Sequence, residues 1–185
     1  FQEYAGKYMP GKATLYPQLP TDDRRQWVNA FIQVMDFRDK NQKITRAWKS
    51  LDVQLKQTAS EGNDFEIPLP SGRTLKYFRC RHEPDGVTCA TQKGSIRRTK
   101  MYGANLFQNS VQALARDCFG FIMNRITDAG FKIVLHVHDE VVVEVGEAGA
   151  KHATKAIQKI MSTPPMWMKD VPISSDAIIT KQYTK

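Results

Sequence analysis

Residues 132–145, Lys-Ile-Val-Leu-His-Val-His-Asp-Glu-Val-Val-Val-Glu-Val, constrain this chain more than any other stretch. Two β-branched apolar runs, 133–137 and 141–145, flank His138-Asp139-Glu140. Each run is short and rich in Val and Ile, which predicts a pair of buried strands joined by a tight bend. Hairpin bends usually carry Asn, Asp or Gly, because those residues tolerate turn geometry. His-Asp-Glu is a poorer turn and a better site. Adjacent carboxylates on a rigid β scaffold suit a hard divalent cation such as magnesium. Taken alone, the stretch fits a polar hairpin tip equally well. His136 faces the same side as His138 by two-residue alternation and is expected to be a buried, hydrogen-bonded residue.

The segment before it reads as one long helix over 105–128, ending near Gly130. Leu106, Ser110, Ala113 and Asp117 share one face, while Gln108 and Gln112 share another with Asn109 beside them. Packing on the hairpin through Val111 and Ala115 would leave these amides along one rim.

The rest of the chain supplies helices and a small meander. Residues 1–19 read as loop with one helical turn, and Thr21 is a candidate N-cap ahead of Asp22 and Asp23. Trp27, Ala30, Phe31, Val34 and Met35 form an amphipathic stripe expected to be core. A second helical run carries Ile44, Ala47, Trp48, Leu51, Val53 and Leu55 and ends before Gly62. Strands are expected over 64–69, 74–81 and 87–92. Leu69-Pro-Ser-Gly-Arg73 and Pro84-Asp-Gly86 serve as turns, Gly72 supplying a positive φ. Residues 93–100 hold four positive charges, Lys93, Arg97, Arg98 and Lys100, in either a solvated loop or a phosphate contact. An amphipathic helix follows over 151–161, and 172–179 read as a last loop and strand. The fold class expected is α+β, a small antiparallel sheet on long helices.

The formal charge is +8, from 27 Lys and Arg against 19 Asp and Glu, which favours a polyanionic partner. No apolar run approaches the roughly 20 residues that span a bilayer, so no membrane partner is expected. Three cysteines at irregular spacing suit a reduced, cytoplasmic protein. Cys80, His82 and Cys89 lack the paired spacing of a zinc site. The chain opens at Phe1 rather than Met and is expected to be part of a longer polypeptide.

The His138-Asp139-Glu140 hairpin and the helix before it resemble the C-terminal palm of the family A (DNA polymerase I-like) DNA polymerases, above all the phage-type branch. The resemblance rests on Tyr102-Gly103, Asn109, Gln112 and Ala115-Arg116-Asp117 ahead of the hairpin. It extends to Leu69-Pro-Ser-Gly-Arg73, to the spaced Arg and Trp between Phe37 and Trp48, and to the terminal Tyr183-Thr-Lys185. It covers residues 26–185. Gln108 stands where the phage-type pattern has Glu, and Tyr102-Gly103 lacks the upstream Arg and Lys of the family's second motif. The family's first motif, a strand-borne Asp, and its nucleotide-binding fingers helix are not in the sequence.

The resemblance implies template-directed DNA synthesis by nucleotidyl transfer with two Mg2+ ions. It makes Asp139 a metal ligand, Glu140 the neighbouring acid and His138 a group at the primer terminus. Gln112 and Asn109 would meet the minor groove, and Lys93, Arg97, Arg98 and Lys100 the phosphates. It implies a helical segment over 1–62 that joins fingers to palm, and a palm subdomain over 63–185 with its catalytic hairpin at 132–145. The partners would be primer–template DNA, deoxynucleoside triphosphates and the remainder of the polymerase, in a bacterial host or phage-infected cell. The 185 residues alone are expected to be inactive. Two rivals remain: a non-catalytic duplex DNA-binding module, and a divalent-metal nuclease using Asp139 and Glu140.

Overall fold

The computed structural model describes residues 21–183 and combines helices with antiparallel sheet, an α+β architecture. The expected loop at 1–19 lies outside the described residues, as do the side chains of Thr21 and Trp27. The chain divides into two compact units between Ser50 and Leu51.

The first unit holds helix α1, Thr21–Lys40, and the start of α2, Gln42–Ser60, which begins after Asn41 and continues past the boundary. The Asn41 side-chain amide donates to the Phe37 carbonyl at 2.8 Å, and Thr45 Oγ1 donates to the Asn41 carbonyl at 2.9 Å, so side chains bridge the break. Phe37 and Trp48 stack across it with ring centroids 6.0 Å apart. The stripe expected to be core is covered only in part. Phe31 is buried, Met35 half-buried, and Ala30 and Val34 exposed. Helical periodicity identifies the apolar face of α1; it does not supply a neighbour to cover it.

The second unit is built on two cores that share one helix. Four strands, β1 (Phe65–Pro68), β2 (Thr74–Glu83), β3 (Gly86–Ala90) and β4 (Thr99–Met101), form an antiparallel sheet in sequence order. Helix α3, Gly103–Asp128, follows directly. Leu55 and Ala59 of α2, Tyr77, Cys80 and Cys89 of the sheet and Leu106 of α3 close the first core. The Gly103 N–H at the start of α3 donates to the Asp52 carboxylate of α2 at 3.2 Å, which satisfies an otherwise orphaned helix donor. Strand β4 overlaps the end of the basic run and was not expected. A three-residue strand has no alternation to read, and only its register against β3, Thr88 facing Lys100, makes it one. His82 is turned away from metal chemistry, its Nε2 lying 3.2 Å from both Ser60 Oγ and the Lys56 carbonyl.

The second core joins Cys118, Ile122 and Ile126 of α3 to the hairpin β5 (Lys132–Val137) and β6 (Glu140–Glu144) through Ile133, Val141 and Val143. Helix α4, Ala150–Met161, adds Ile157, Ile160 and Met161. Three expectations are corrected here. The hairpin strands are not buried: Val134 and Leu135 are 49% and 42% exposed. A bulge between Ile133 and Leu135 breaks the two-residue alternation, and α3 and α4 cover one face only. His136 is likewise exposed, its ring meeting Phe119 edge-on at 6.2 Å. Val111 and Ala115 are exposed rather than packed. They share a face with Cys118 and Ile122, but β5, at about 20 Å, covers only half of a helix about 39 Å long.

After a 3-10 turn at Met166–Met168, residues 172–183 contain no strand, contrary to expectation. This tail is tied to α4 by Ser175 and Gln158 rather than to a sheet edge. No helix among the described residues is long and apolar enough to cross a membrane.

Candidate active site and nucleic-acid face

The candidate site begins at the β5–β6 turn. Val137 pairs with Glu140, leaving His138 and Asp139 as a two-residue loop. His138 has φ 54° and Asp139 no positive φ, the pattern of a type II′ hairpin, where glycine is usual at the first position. A left-handed backbone costs a non-glycine residue roughly 1–2 kcal/mol, so histidine there is a strained choice. His138, Asp139 and Glu140 are all exposed. The turn therefore presents an imidazole and two carboxylates to solvent, anchored from beneath by the half-buried Val137 and Val141.

Helix α3 runs antiparallel to β5. Phe131 N donates to the Ile126 carbonyl at 3.2 Å, and further along β5 His136 meets Phe119, so advancing along β5 means retreating along α3. Gln112 lies seven residues before Phe119 and therefore on the same face, about 10 Å further along the axis. The turn lies two residues beyond His136, about 7 Å in the same direction. The face that grips the hairpin at Phe119, Ile122 and Ile126 thus continues past it as an open surface of Gln108, Val111, Gln112 and Ala115.

Asn109 sits to one side. Its Nδ2 donates to the Tyr77 hydroxyl at 2.9 Å, leaving its oxygen and one N–H available. Burial raises the Tyr77 pKa, and the Asn109 bond opposes the shift.

The basic run divides. The Arg98 guanidinium is bound into the sheet, donating to Thr88 Oγ1 at 2.9 Å and to the Arg79 and Thr88 carbonyls at 2.6 Å. Lys100 pairs with Asp85 at 2.8 Å, which lowers the Asp85 pKa. Lys93 and Arg97 are exposed and make no ion pair among the described residues. The run belongs to the four-stranded sheet and the acids to the hairpin; α3 links the two.

Two features escaped the sequence reading. Asp117 accepts from the Ser71 hydroxyl, and from Arg73 Nε at 2.9 and 3.2 Å, while Arg73 Nη2 donates to the Ala113 carbonyl at 3.2 Å. The turn at 69–73, with Gly72 at φ 87°, is thereby latched to α3. The signal was the pairing of a Ser-Gly-Arg turn with an Asp on an otherwise packed helix face. The other is Tyr183, whose hydroxyl lies 3.4 Å from Glu140 Oε2. Desolvation, then the Glu140 charge, raise its pKa.

For a magnesium ion the turn offers hard oxygen donors of the right type in Asp139 and Glu140. They come from one turn, and among the described residues no group of three or more His, Cys, Asp or Glu side chains is placed to hold a metal. The described residues do not by themselves complete a magnesium site.

Comparison with known proteins gives the chain a relative. It is 31% identical over 175 residues to a DNA polymerase of Bacillus phage SP02, an alignment that covers 82% of this chain and 27% of that protein. No family model matches the chain, and no solved structure does. The chain is thus related to a phage DNA polymerase and spans about a quarter of its length.

Proposed function

We propose that the chain is the C-terminal palm part of a family A DNA polymerase, working in template-directed DNA synthesis. The observation that carries this reading is the exposed Asp139 at a strained hairpin turn, placed along the α3 face that runs on into Gln112. The relationship to a phage DNA polymerase supports it. In this reading residues 1–62 join fingers to palm, and 63–185 are the palm.

Each group then has a task set by its chemistry. Asp139 would be one carboxylate ligand of the Mg2+ ions, and an acid from the remainder of the polymerase would complete the pair. Magnesium, when bound, supplies the positive charge that offsets the triphosphate. Glu140 and His138 flank the primer end, His138 donating a hydrogen bond from a ring that the turn holds outward. Gln112, with Asn109 beside it, meets the minor-groove edge. The acceptors there are common to every correct base pair, so an amide senses pairing shape without reading sequence. Lys93, Arg97, Arg98 and Lys100 are the phosphate-facing run, with Lys93 and Arg97 the members open to contact. Primer–template DNA, deoxynucleoside triphosphates and the rest of the polymerase are the partners.

Primer extension tests the reading. In the full-length polymerase, Asp139→Asn should lower the rate by orders of magnitude and leave duplex affinity unchanged, because the lost interaction belongs to the transition state. The 185-residue chain should not extend a primer. A fully active Asp139→Asn polymerase would reduce the hairpin to a turn. Extension by the isolated chain would reveal a second metal-binding acid within it.

A further inference from the structure

Residues 171–183 have no helix or strand, yet they follow a fixed course. Ser175 is held to α4, its carbonyl accepting from Gln158 Nε2 at 3.5 Å and its hydroxyl lying 3.4 Å from that of Ser162. Lys181 reaches Glu147, beyond the end of β6, at 3.6 Å. Thr180 Oγ1 accepts from the Gln182 N–H at 3.3 Å and donates to the Gln182 carbonyl at 2.7 Å, bending the chain between these anchors and its last described residue. Tyr183 then lies with its hydroxyl 3.4 Å from Glu140 Oε2, 43 residues away in sequence.

We propose that Tyr183 is a positioning residue for the candidate site, its hydroxyl holding the Glu140 carboxylate in one orientation beside Asp139. The inference rests on the polymerase reading of the hairpin. Glu140 is exposed, opens β6 and makes no other side-chain hydrogen bond or ion pair among the described residues. A free glutamate samples many rotamers, and fixing them is an entropic cost that one directed bond offsets. Tyrosine suits the task because its ring is stiff and its O–H donates to a carboxylate without adding charge. The separation is long for a direct bond, as contacts at such sites often are before substrate arrives. The tail is therefore a strap whose end supports the primer-side acid.

The test is a double-mutant cycle in the full-length polymerase. Tyr183→Phe keeps the ring and removes the donor; Glu140→Ala removes the acceptor. Tyr183→Phe should lower kcat for primer extension about three- to tenfold, the worth of one hydrogen bond, with KM for nucleotide and duplex affinity unchanged. The double variant should be no slower than Glu140→Ala alone, because both changes break the same contact. Independent, multiplying losses, or a wild-type kcat for Tyr183→Phe in an enzyme that depends on Asp139 and Glu140, would overturn this inference alone. Wild-type rates for both Asp139→Asn and Glu140→Ala would overturn the polymerase reading and this inference with it.

Discussion

The four-stranded sheet and the two-stranded hairpin hang on the same helix, α3, and are built in opposite ways. The sheet is packed through its core. Cys80 and Cys89 are fully buried, Tyr77 and Val87 nearly so, and the Arg98 guanidinium braces β2 and β3 through their own carbonyls. The hairpin has one strand pairing, no buried residue and, among the described residues, two unpaired outer edges. A lone strand pair is marginal in water, so α3 and α4 supply what its own pairing does not. The side chains of the sheet answer to packing. Those of the hairpin turn are held outward, at a backbone geometry that packing alone would not select. The difference separates the part of the molecule built as a scaffold from the part that carries the candidate site.

Stability measurements on the two regions put that contrast at risk. Leu106 is fully buried where α3 meets the sheet, and Leu106→Ala should cost about 2–5 kcal/mol in denaturant unfolding. Asp139→Asn, at the exposed turn, should leave the unfolding midpoint unchanged. Equal losses from the two would mean that the turn is part of the scaffold.

A smaller loss should follow at the latch between them. Asp117→Asn weakens the bonds from Ser71 and Arg73 that fasten the 69–73 turn to α3. Bonds to a charged group are worth about 1.5–3 kcal/mol, but Arg73 is 47% exposed and solvent screens its share, so about 1–2 kcal/mol is expected. Amide hydrogen exchange should rise first at Gly72, whose N–H bonds the Leu69 carbonyl within that turn. His138→Gly should do the reverse and raise stability by about 1 kcal/mol, because glycine takes a positive φ without strain. On the proposed reading, primer extension by the full-length polymerase carrying this change should fall at the same time. A loss of stability instead would show that the imidazole is held by contacts of its own.

What could be read from the sequence follows the same division. Periodicity located α3, β-branched runs located both hairpin strands, and Gly72 marked its turn, because each depends on neighbours in sequence. The residues that were misread depend on distant ones. Val111 and Ala115 lie on the apolar face of α3, but whether they are covered depends on how far β5 reaches along it. Thr99 to Met101 become a strand only beside β3. At His138, Asp139, Glu140 and Gln112 residue type alone nominates the candidate site, and the structure adds their exposure. The employment of Asn109 by Tyr77, of Arg98 by Thr88 and of Glu140 by Tyr183 was not legible in the sequence, since each bond closes a gap that no local pattern records.

The basic run gives the finest test, because within it sequence alone treats four cations as equal. Charge counting assigns each of Lys93, Arg97, Arg98 and Lys100 the same attraction for phosphate. The structure ranks them. Arg98 has its donors committed to Thr88 and Arg79, and Lys100 is neutralised by Asp85, whereas Lys93 and Arg97 keep their charge and their donors. A cation contributes to salt-dependent binding only if it displaces counterions from DNA, and each such phosphate contact adds about 0.9 to the log–log slope. Fluorescence anisotropy on duplex DNA across a salt series should therefore show Lys93→Ala with Arg97→Ala flattening the slope by about 1.8, two contacts at about 0.9 each. Lys100→Ala should change it less, since what it removes is mainly the counter-charge of Asp85. The weakening should be uniform across sequences, because phosphates carry no sequence information. Equal slope changes at all four positions would mean that the bonds to Thr88, Arg79 and Asp85 yield when DNA arrives, and that the sheet, too, is part of the site.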